Sequence, residues 1–285
     1  MSETRAHYAV KVSHSLEDAP KMAHWFSQNP DRAWAERFFL AYSPIWMALM
    51  AVMMFTGWTE TFSNDALLGH AVIVAAPLLA VPAILRRGHN PSGHWWESYW
   101  FKANLYIGIF GFFGNYFGSE YFFDVLGMVY HFPNATTTLD ASLVGQGDQT
   151  VPLIMYFYTH AYFMTYHTTA VLVLRRIFSA GFPSLTVVFF PVVFVVGYAW
   201  AWIETRAMAN PLIAANFHYT RMDAMLAYGS AIYALYFIAS FPIFYHLDEV
   251  AEKRWDLLKV SAAGLSASML TFYLLDFTAA IVGRL

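Results

Sequence analysis

Long stretches without charged residues dominate this sequence and restrict the folds that it can adopt. A helix needs about 20 apolar residues to cross the roughly 30 Å hydrocarbon core of a bilayer. Only 12% of the residues are charged, against about a quarter in soluble domains. The sequence therefore predicts an all-α, polytopic transmembrane helical bundle of about seven spans, at 38–57, 66–85, 103–118, 151–174, 182–203, 224–245 and 260–282.

The polar N-terminal segment and the apolar remainder divide the chain into two parts. We predict that residues 1–35 form a tail or surface helix and that residues 36–285 form one transmembrane domain. Lys11, Lys21 and Arg32 precede the first span, so that span is not the apolar region of a cleaved signal peptide. The absence of cysteine excludes disulfides and thiolate metal sites, and a net charge of -3 gives no sign of nucleic-acid binding.

The distribution of basic residues predicts an orientation. With a cytoplasmic N-terminus, 13 of the 16 Lys and Arg residues lie inside, and only Arg206, Arg221 and Arg284 lie outside. This asymmetry follows the positive-inside rule. The longest loop, 119–150, is then external and contains no Lys or Arg, and we expect it to cap a pocket.

Polar groups within or beside the spans are the candidate functional residues, because ionisable groups in hydrocarbon usually face a bundle interior or a watered cavity. In the predicted orientation Asn115, Glu120, His160, Glu204 and Asp276 all lie in the outer half of the bundle.

Each of these groups also has a structural interpretation. His160 and His167 share one helix face and either act chemically or only join helices by hydrogen bonds. Burial beside Trp200 and Trp202 favours an acid role for Glu204, whereas pairing with Arg206 or Arg221 is the alternative. Asp276 is typical of an interhelix bond. The glycines at 108, 111, 114 and 118 lie on one face and indicate close helix packing.

Several common enzyme classes are not indicated by the motifs. Histidine boxes of di-iron enzymes, HExxH, GxSxG and a P-loop are all absent from the sequence. A haem held by His70, His160 or His167 stays open as an alternative.

Eight blocks of sequence, in order, resemble the cycloeucalenol cycloisomerase family. Together they extend over nearly all of residues 36–280. The blocks are YSPIWM (42–47), ESYWFKANLYI (97–107), GNYFGSEYFFDVLG with YHFP (114–133), VPLIMYFYTHAYFMTYH (151–167), LRR (174–176), ETRAMAN (204–210), YALYFIASFPIFYHLDE (233–249) and WDLLKVSAAGLSASML (255–270).

The resemblance implies a membrane-embedded isomerase that opens the 9β,19-cyclopropane ring of cycloeucalenol to give obtusifoliol, without a metal or cofactor. Three positions depart from the family pattern. Where this chain has Glu120, Asp124 and Thr220, the family pattern has His, Thr and an acidic residue. These departures leave room for a different cyclopropyl sterol as substrate.

Ring opening implies an acid that protonates C19, a cation at C9, and a base that removes the C8 proton. Two schemes fit the residues. In one, Glu204 is the acid and His160 the base; in the other, His160 paired with ionised Glu204 is the acid, and water or Glu120 is the base. The second is favoured narrowly, and His167 is a further catalytic candidate.

The remaining candidates are assigned to substrate binding. Aromatic faces stabilise a desolvated cation by about 0.5 to 2 kcal/mol each. Phe117 is one of the residues whose ring could stabilise the C9 cation in this way. Asn115 is expected to orient the sterol hydroxyl or the acid. The predicted binding residues are Asn115, Tyr116, Tyr121, Tyr156, Trp202, Asn210 and Asp276.

Two other functions fit the same residues. One is a sterol 8-ene double-bond isomerase, similar to the emopamil-binding isomerases, and the other is a non-catalytic sterol or lipid carrier. In every case the expected partners are a sterol and the lipid bilayer, with no nucleic acid. The expected location is the cytoplasmic or endoplasmic reticulum membrane.

Overall fold

The computed structural model describes residues 23–86, 93–180 and 185–283, and this part of the chain is mainly helical. A two-stranded antiparallel sheet is its other regular element. The helices are α1 Pro30–Thr56, α2 Trp58–Thr61, α3 Asn64–Ala75, α4 Pro77–Leu85, α5 Tyr99–Phe113, α6 Ser119–Asp124, α7 Leu153–Phe178, α8 Leu185–Met208, α9 Met222–Ala224, α10 Ser230–His246 and α11 Leu257–Val282; the strands are β1 Met128–Tyr130 and β2 Phe217–Tyr219.

Three helical segments in the described part are long and apolar enough to cross a membrane. They are α1, the segment Met222–His246 and α11, and the pair α3 and α4, bent by 43°, makes a fourth if it forms one span. This supports a helical membrane protein but does not confirm seven spans. At 26 residues α7 has sufficient length, but it carries two histidines and several Tyr and Thr residues and packs between other helices.

The first helix begins earlier than the sequence predicts. Asn29 caps α1 by accepting a hydrogen bond from the Asp31 amide, and Pro30 occupies the first turn, where its missing N–H costs nothing. The end of the segment predicted as a tail or surface helix, 1–35, is therefore the first turn and a half of α1. Residues 1–22 lie outside the described part of the chain.

The predicted glycine face on α5 packs closely against two neighbouring helices. A Cβ at Gly114 would lie 3.5 Å from the rings of Phe163 on α7 and Tyr236 on α10, and one at Gly118 would overlap the Tyr236 hydroxyl. This confirms the packing interpretation. Between α5 and α6 the helix passes through a π turn, Gly114–Gly118, which carries Asn115.

The predicted outer loop does lie over a pocket. β1 pairs with β2, so loop 119–150 is joined to the segment that follows α8. Met128 and Tyr130 from the first loop and Phe217 and Tyr219 from the second line the cavities described below.

A cluster of buried ion pairs ties the helices together at the other end of the bundle. Arg175 on α7 contacts Glu36 on α1 and Glu249 after α10, each at 2.7 Å, and Arg32 contacts the same two carboxylates. Lys102 on α5 pairs with Asp248 at 2.8 Å. This is the end that the sequence predicts to be cytoplasmic.

Candidate active site

Two cavities meet at Glu204 on α8. We name the larger one the apolar slot; its volume is about 300 Å³. The smaller one, of about 90 Å³, is named the polar chamber. Five side chains line both cavities and so form the boundary between them: Met155, Tyr162, Glu204, Met208 and Phe217. A group at this junction can therefore contact an apolar molecule on one side and polar groups on the other.

The apolar slot lies between α1, α7 and α8. Its walls include Trp46, Met50 and Met53 from α1, and Tyr166 and Trp200 from α7 and α8. The side chains at its rim face outward, since Met47 is 41% exposed and Ile203 is 48% exposed. The slot therefore opens to the outside of the bundle between α1 and α8. The outer surfaces of these two helices are apolar, so we expect this opening to face lipid.

Glu204 has a specific hydrogen-bond partner. The hydroxyl of Tyr233 on α10, a side chain only 5% exposed, donates a short hydrogen bond to Glu204 Oε2. Arg206 and Arg221, the alternative partners considered from the sequence, are both exposed. A carboxyl group held by a hydroxyl in apolar surroundings is suited to proton transfer rather than to charge pairing.

Seven of the sixteen residues that line the polar chamber carry hydroxyl groups. Asn115 lies in its wall, where its side-chain amide donates to Gly111 O at 2.8 Å and its carbonyl accepts from Thr159 Oγ1 at 3.2 Å. Tyr236 presents a buried hydroxyl that has no hydrogen-bond partner among the described residues. The chamber is large enough and polar enough to hold water. Its other hydroxyl-bearing walls are Ser119, Tyr130, Tyr162, Tyr219 and Tyr233.

His160 lies away from Glu204. Its Nε2 bonds with Asn104 Oδ1 on α5 at 2.8 Å. It lines a separate cavity of about 340 Å³ together with Gly108, Phe112 and Tyr156, on the side of α7 that faces α3 to α5. The expected pairing of His160 with Glu204 is thus not found, because the two residues face different cavities.

His167 makes bonds that join helices. Its Nδ1 donates to Phe163 O at 2.7 Å, and its Nε2 accepts from Ser240 Oγ on α10 at 2.6 Å. The ring is fully buried against Phe241 and Phe244. Of the two interpretations of this histidine, the geometry favours the helix-joining one.

The carboxylates near the outer loop are also apart from the two cavities at Glu204. Glu120 lies beyond the third predicted span, and its Oε2 is so close to Gly145 that a Cβ there would overlap it. Burial, with the charges of Asp124 and Asp140, raises the pKa of Glu120 to about 7. Asp276 accepts a hydrogen bond from Tyr121 at 3.0 Å, which is the interhelix bond considered from the sequence.

The other predicted binding residues line neither the slot nor the chamber. Tyr116 stacks on Phe112, and Tyr156 donates its hydroxyl proton to Leu139 O at 2.6 Å. Trp202 is 41% exposed on the outside of α8. Asn210 caps a short turn by accepting from the Leu212 amide. Of the predicted site residues, Glu204 and Asn115 are therefore the two that the structure brings to one site.

Sequence reasoning missed most of the tyrosines of this site. Tyr158, Tyr162 and Tyr166 follow one another at intervals of four on α7 and line the slot. That spacing places side chains on one helix face, so it was a usable signal. Tyr233 carried no comparable signal, because its role depends on how α10 packs against α8.

The fold and the site define an α-helical membrane protein in which a half-buried carboxyl group, Glu204, lies beside hydroxyl groups in a site open to an apolar molecule. The chain is 34% identical over 264 residues to "Cycloeucalenol cycloisomerase" of Arabidopsis thaliana, which covers 91% of this chain and 89% of that relative. The chain therefore belongs to the cycloeucalenol cycloisomerase family and is an enzyme of the isomerase class. No family model and no solved structure matches it.

Proposed function

We propose that this protein opens the 9β,19-cyclopropane ring of a cyclopropyl sterol, converting cycloeucalenol to obtusifoliol in sterol biosynthesis. The position of Glu204 between an apolar slot and a chamber of hydroxyls carries the proposal. A flat, apolar tetracycle suits the slot, and a proton donor at the junction can reach it. The named relative acts on this substrate by its name, and that likeness extends over 91% of the chain.

Glu204 is the acid in the proposed mechanism. Its carboxyl proton bonds to C19 while the C9–C19 bond breaks, which leaves a methyl group and a cation at C9. Loss of the C8 proton then supplies the electron pair of the C8=C9 double bond. His160 lines another cavity, so we keep the acid role of Glu204 from the first scheme and assign His160 neither the acid role nor the base role.

The surrounding residues support the acid in two ways. Tyr233 holds Oε2 of Glu204, and waters in the polar chamber would return a proton to the carboxylate after each turnover. The aromatic walls of the slot, Trp46, Trp200 and Tyr166, exclude bulk water. Exclusion of water prevents capture of the cation as an alcohol.

The proposed topology is seven spans with the N-terminus in the cytoplasm. The spans are α1, the α3 and α4 pair, α5 with its π turn, α7, α8, Met222–His246 and α11. The clustering of Arg32, Lys102 and Arg175 at one end of the bundle supports this orientation. Glu204 and the two cavities then lie toward the outer leaflet.

The test is incubation of membranes containing the protein with cycloeucalenol in D₂O, followed by mass spectrometry of the product. Deuterium in the C19 methyl of obtusifoliol is expected. Glu204→Gln should lower kcat by about 10² to 10⁴, the usual contribution of a positioned acid. Glu60→Gln, at an exposed glutamate, is the matched control and should leave the rate unchanged. Unimpaired turnover by Glu204→Gln would refute the role of Glu204.

The choice of substrate tests which reaction the protein catalyses. If folded protein leaves cycloeucalenol unchanged but isomerises an 8-ene sterol, the protein is a double-bond isomerase. If it binds sterols and converts none of them, the proposed activity is wrong.

A further inference from the structure

A second polar pair, Tyr158 and His70, lies at the wall of the apolar slot, which Tyr158 lines. The hydroxyl of Tyr158 on α7, a residue only 2% exposed, lies 2.9 Å from His70 Nδ1 on α3. The same hydroxyl lies 3.4 Å from the sulfur of Met53. His70 is itself 7% exposed and packs edge-on against Trp58. The sequence offered only a haem ligand as a role for His70.

The position of this pair relative to Glu204 makes it relevant to the reaction. Tyr158 and Glu204 both line the slot, from α7 and α8 respectively. Tyr162, one turn along α7 from Tyr158, lines both the slot and the chamber. A rigid molecule that fills the slot therefore contacts the acid and the Tyr158 side of the wall together.

The proposed reaction requires a group of this kind. Once C19 has been protonated, the C9 cation must lose the C8 proton. A hydrogen next to a carbocation is strongly acidic, so a neutral hydroxyl backed by a neutral imidazole is a sufficient acceptor. A neutral acceptor has a further advantage, since an anionic one beside the cation would form a bond to it more readily.

We propose that Tyr158 is the acceptor of the C8 proton and that His70 positions its hydroxyl and takes the proton onward. This rests on the proposed function. The C8–H bond breaks, and its electron pair becomes the π bond to C9. The proton bonds to Tyr158 Oη as the original hydroxyl proton moves to His70 Nδ1. Nε2 of His70 is buried and has no hydrogen-bond partner among the described residues, so the proton leaves by the way it came. After the product has left, His70 Nδ1 returns a proton to Tyr158, whose hydroxyl gives one up to water entering the emptied slot, while Glu204 regains one from water.

The distribution of alkene products gives a specific test. A C9 cation can lose a proton from C8 or from C11, and the placement of the acceptor decides between the two. Tyr158→Phe keeps the ring and removes the hydroxyl. We expect kcat to fall by about 10² or more, KM to stay nearly constant, and part of the product to become the 9(11)-ene. His70→Gln keeps a polar group but cannot take up the proton, and it should shift the products in the same direction.

Tyr42→Phe is the matched control. This tyrosine is also buried, and its hydroxyl donates to Val74 O at 2.9 Å, but it lines neither the slot nor the chamber. Its rate and product ratio should match those of the unmodified protein. Size-exclusion profiles in detergent would establish that each variant is folded, and if Tyr158→Phe fails to fold, the product ratio of His70→Gln decides.

The outcomes separate this inference from the proposed function. If Glu204→Gln is inactive while Tyr158→Phe forms only the 8-ene at an undiminished rate, the acceptor role is refuted and the Glu204 carboxylate becomes the acceptor. A raised KM with unchanged kcat would assign Tyr158 to binding the sterol hydroxyl, which also refutes the inference. A lack of turnover by the unmodified protein would overturn the proposed function and this inference with it.

Discussion

Single residues in this protein acquire their roles from the direction in which a helix points them. Tyr158 and His160 are two positions apart on α7, which corresponds to about 200° around a helix of 3.6 residues per turn. Tyr158 therefore faces the apolar slot, while His160 faces Asn104 and the opposite cavity. Two polar side chains of one helix thus line different cavities.

This difference predicts the effect of removing the His160 side chain. His160→Ala leaves Asn104 Oδ1 without the partner that now lies at 2.8 Å. An unsatisfied buried group costs about 1 to 3 kcal/mol, so the thermal midpoint in detergent should fall. The rate of ring opening should change by less than about tenfold, well short of the effect of losing a positioned acid. A loss as large as that of Glu204→Gln would restore His160 to the catalytic scheme.

The sequence was sufficient to find Glu204 and Asn115, because a carboxyl or an amide in an apolar stretch is conspicuous wherever it points. It was not sufficient to find Tyr233. This chain has 18 tyrosines, and only the packing of α10 against α8 brings this one to Glu204. Trp202 shows the converse: it is close to Glu204 in sequence, but its side chain faces outward and lines neither the slot nor the chamber.

At the scale of helices, one end of the bundle carries the hydrogen-bonded candidate site, and the other end carries buried ion pairs. The glycine face of α5 allows close contact with α7 and α10, which could be predicted from spacing alone. The ion pairs of Arg32 and Arg175 with Glu249, of Arg175 with Glu36 and of Lys102 with Asp248 could not be predicted, since each joins segments far apart in sequence. The pair of Arg32 with Glu36 is the exception, because these residues are four positions apart on α1. The long-range pairs hold α1, α5, α7 and the turn after α10 together.

The pair between Lys102 and Asp248 offers a test of this role. Both side chains are 2% exposed, and Asp248 also accepts from the Trp255 amide at 2.7 Å. Lys102→Met would leave a buried carboxylate without its counter-charge, at a cost of about 3 to 5 kcal/mol. We expect a lower thermal midpoint in detergent, with normal KM in the fraction that stays folded.

The double variant Lys102→Met with Asp248→Asn provides the control. It removes both charges, and an asparagine at 248 can still accept from the Trp255 amide, so most of the lost stability should return. If the single and double variants unfold at the same temperature, the stabilisation does not come from the ion pair.

For the whole molecule, the hydrophobic pattern predicted a helical membrane bundle, and the length of the apolar stretches accounts for that success. The helix boundaries and the number of spans could be predicted less well from the sequence. Helices in the centre of a bundle need not be apolar, because they contact protein rather than lipid, and α7 is the example. The loop that covers the cavities was predicted from its length and charge, but its pairing through β1 and β2 was not.

If Glu204 acts on the sterol as proposed, we expect the sterol to reach it sideways from the bilayer, because the slot opens between α1 and α8. Ile203 stands at the rim, 48% exposed, directly before the acid in sequence. Ile203→Trp would narrow the opening without removing a hydrogen-bonding group. We expect kcat/KM for the sterol to fall by about tenfold, equivalent to about 1.4 kcal/mol of the activation free energy, with a smaller change in kcat at saturation.

Val195→Trp is the control for this substitution. Val195 lies on the same helix, is 63% exposed, and lines neither the slot nor the chamber. A tryptophan there adds the same bulk to the outer surface of α8, but it leaves the opening free. Normal kcat/KM in this variant, beside a reduced value in Ile203→Trp, would support access between α1 and α8. Equal values in both variants would mean that the sterol reaches the acid by another route, such as beneath the loop at 119–150.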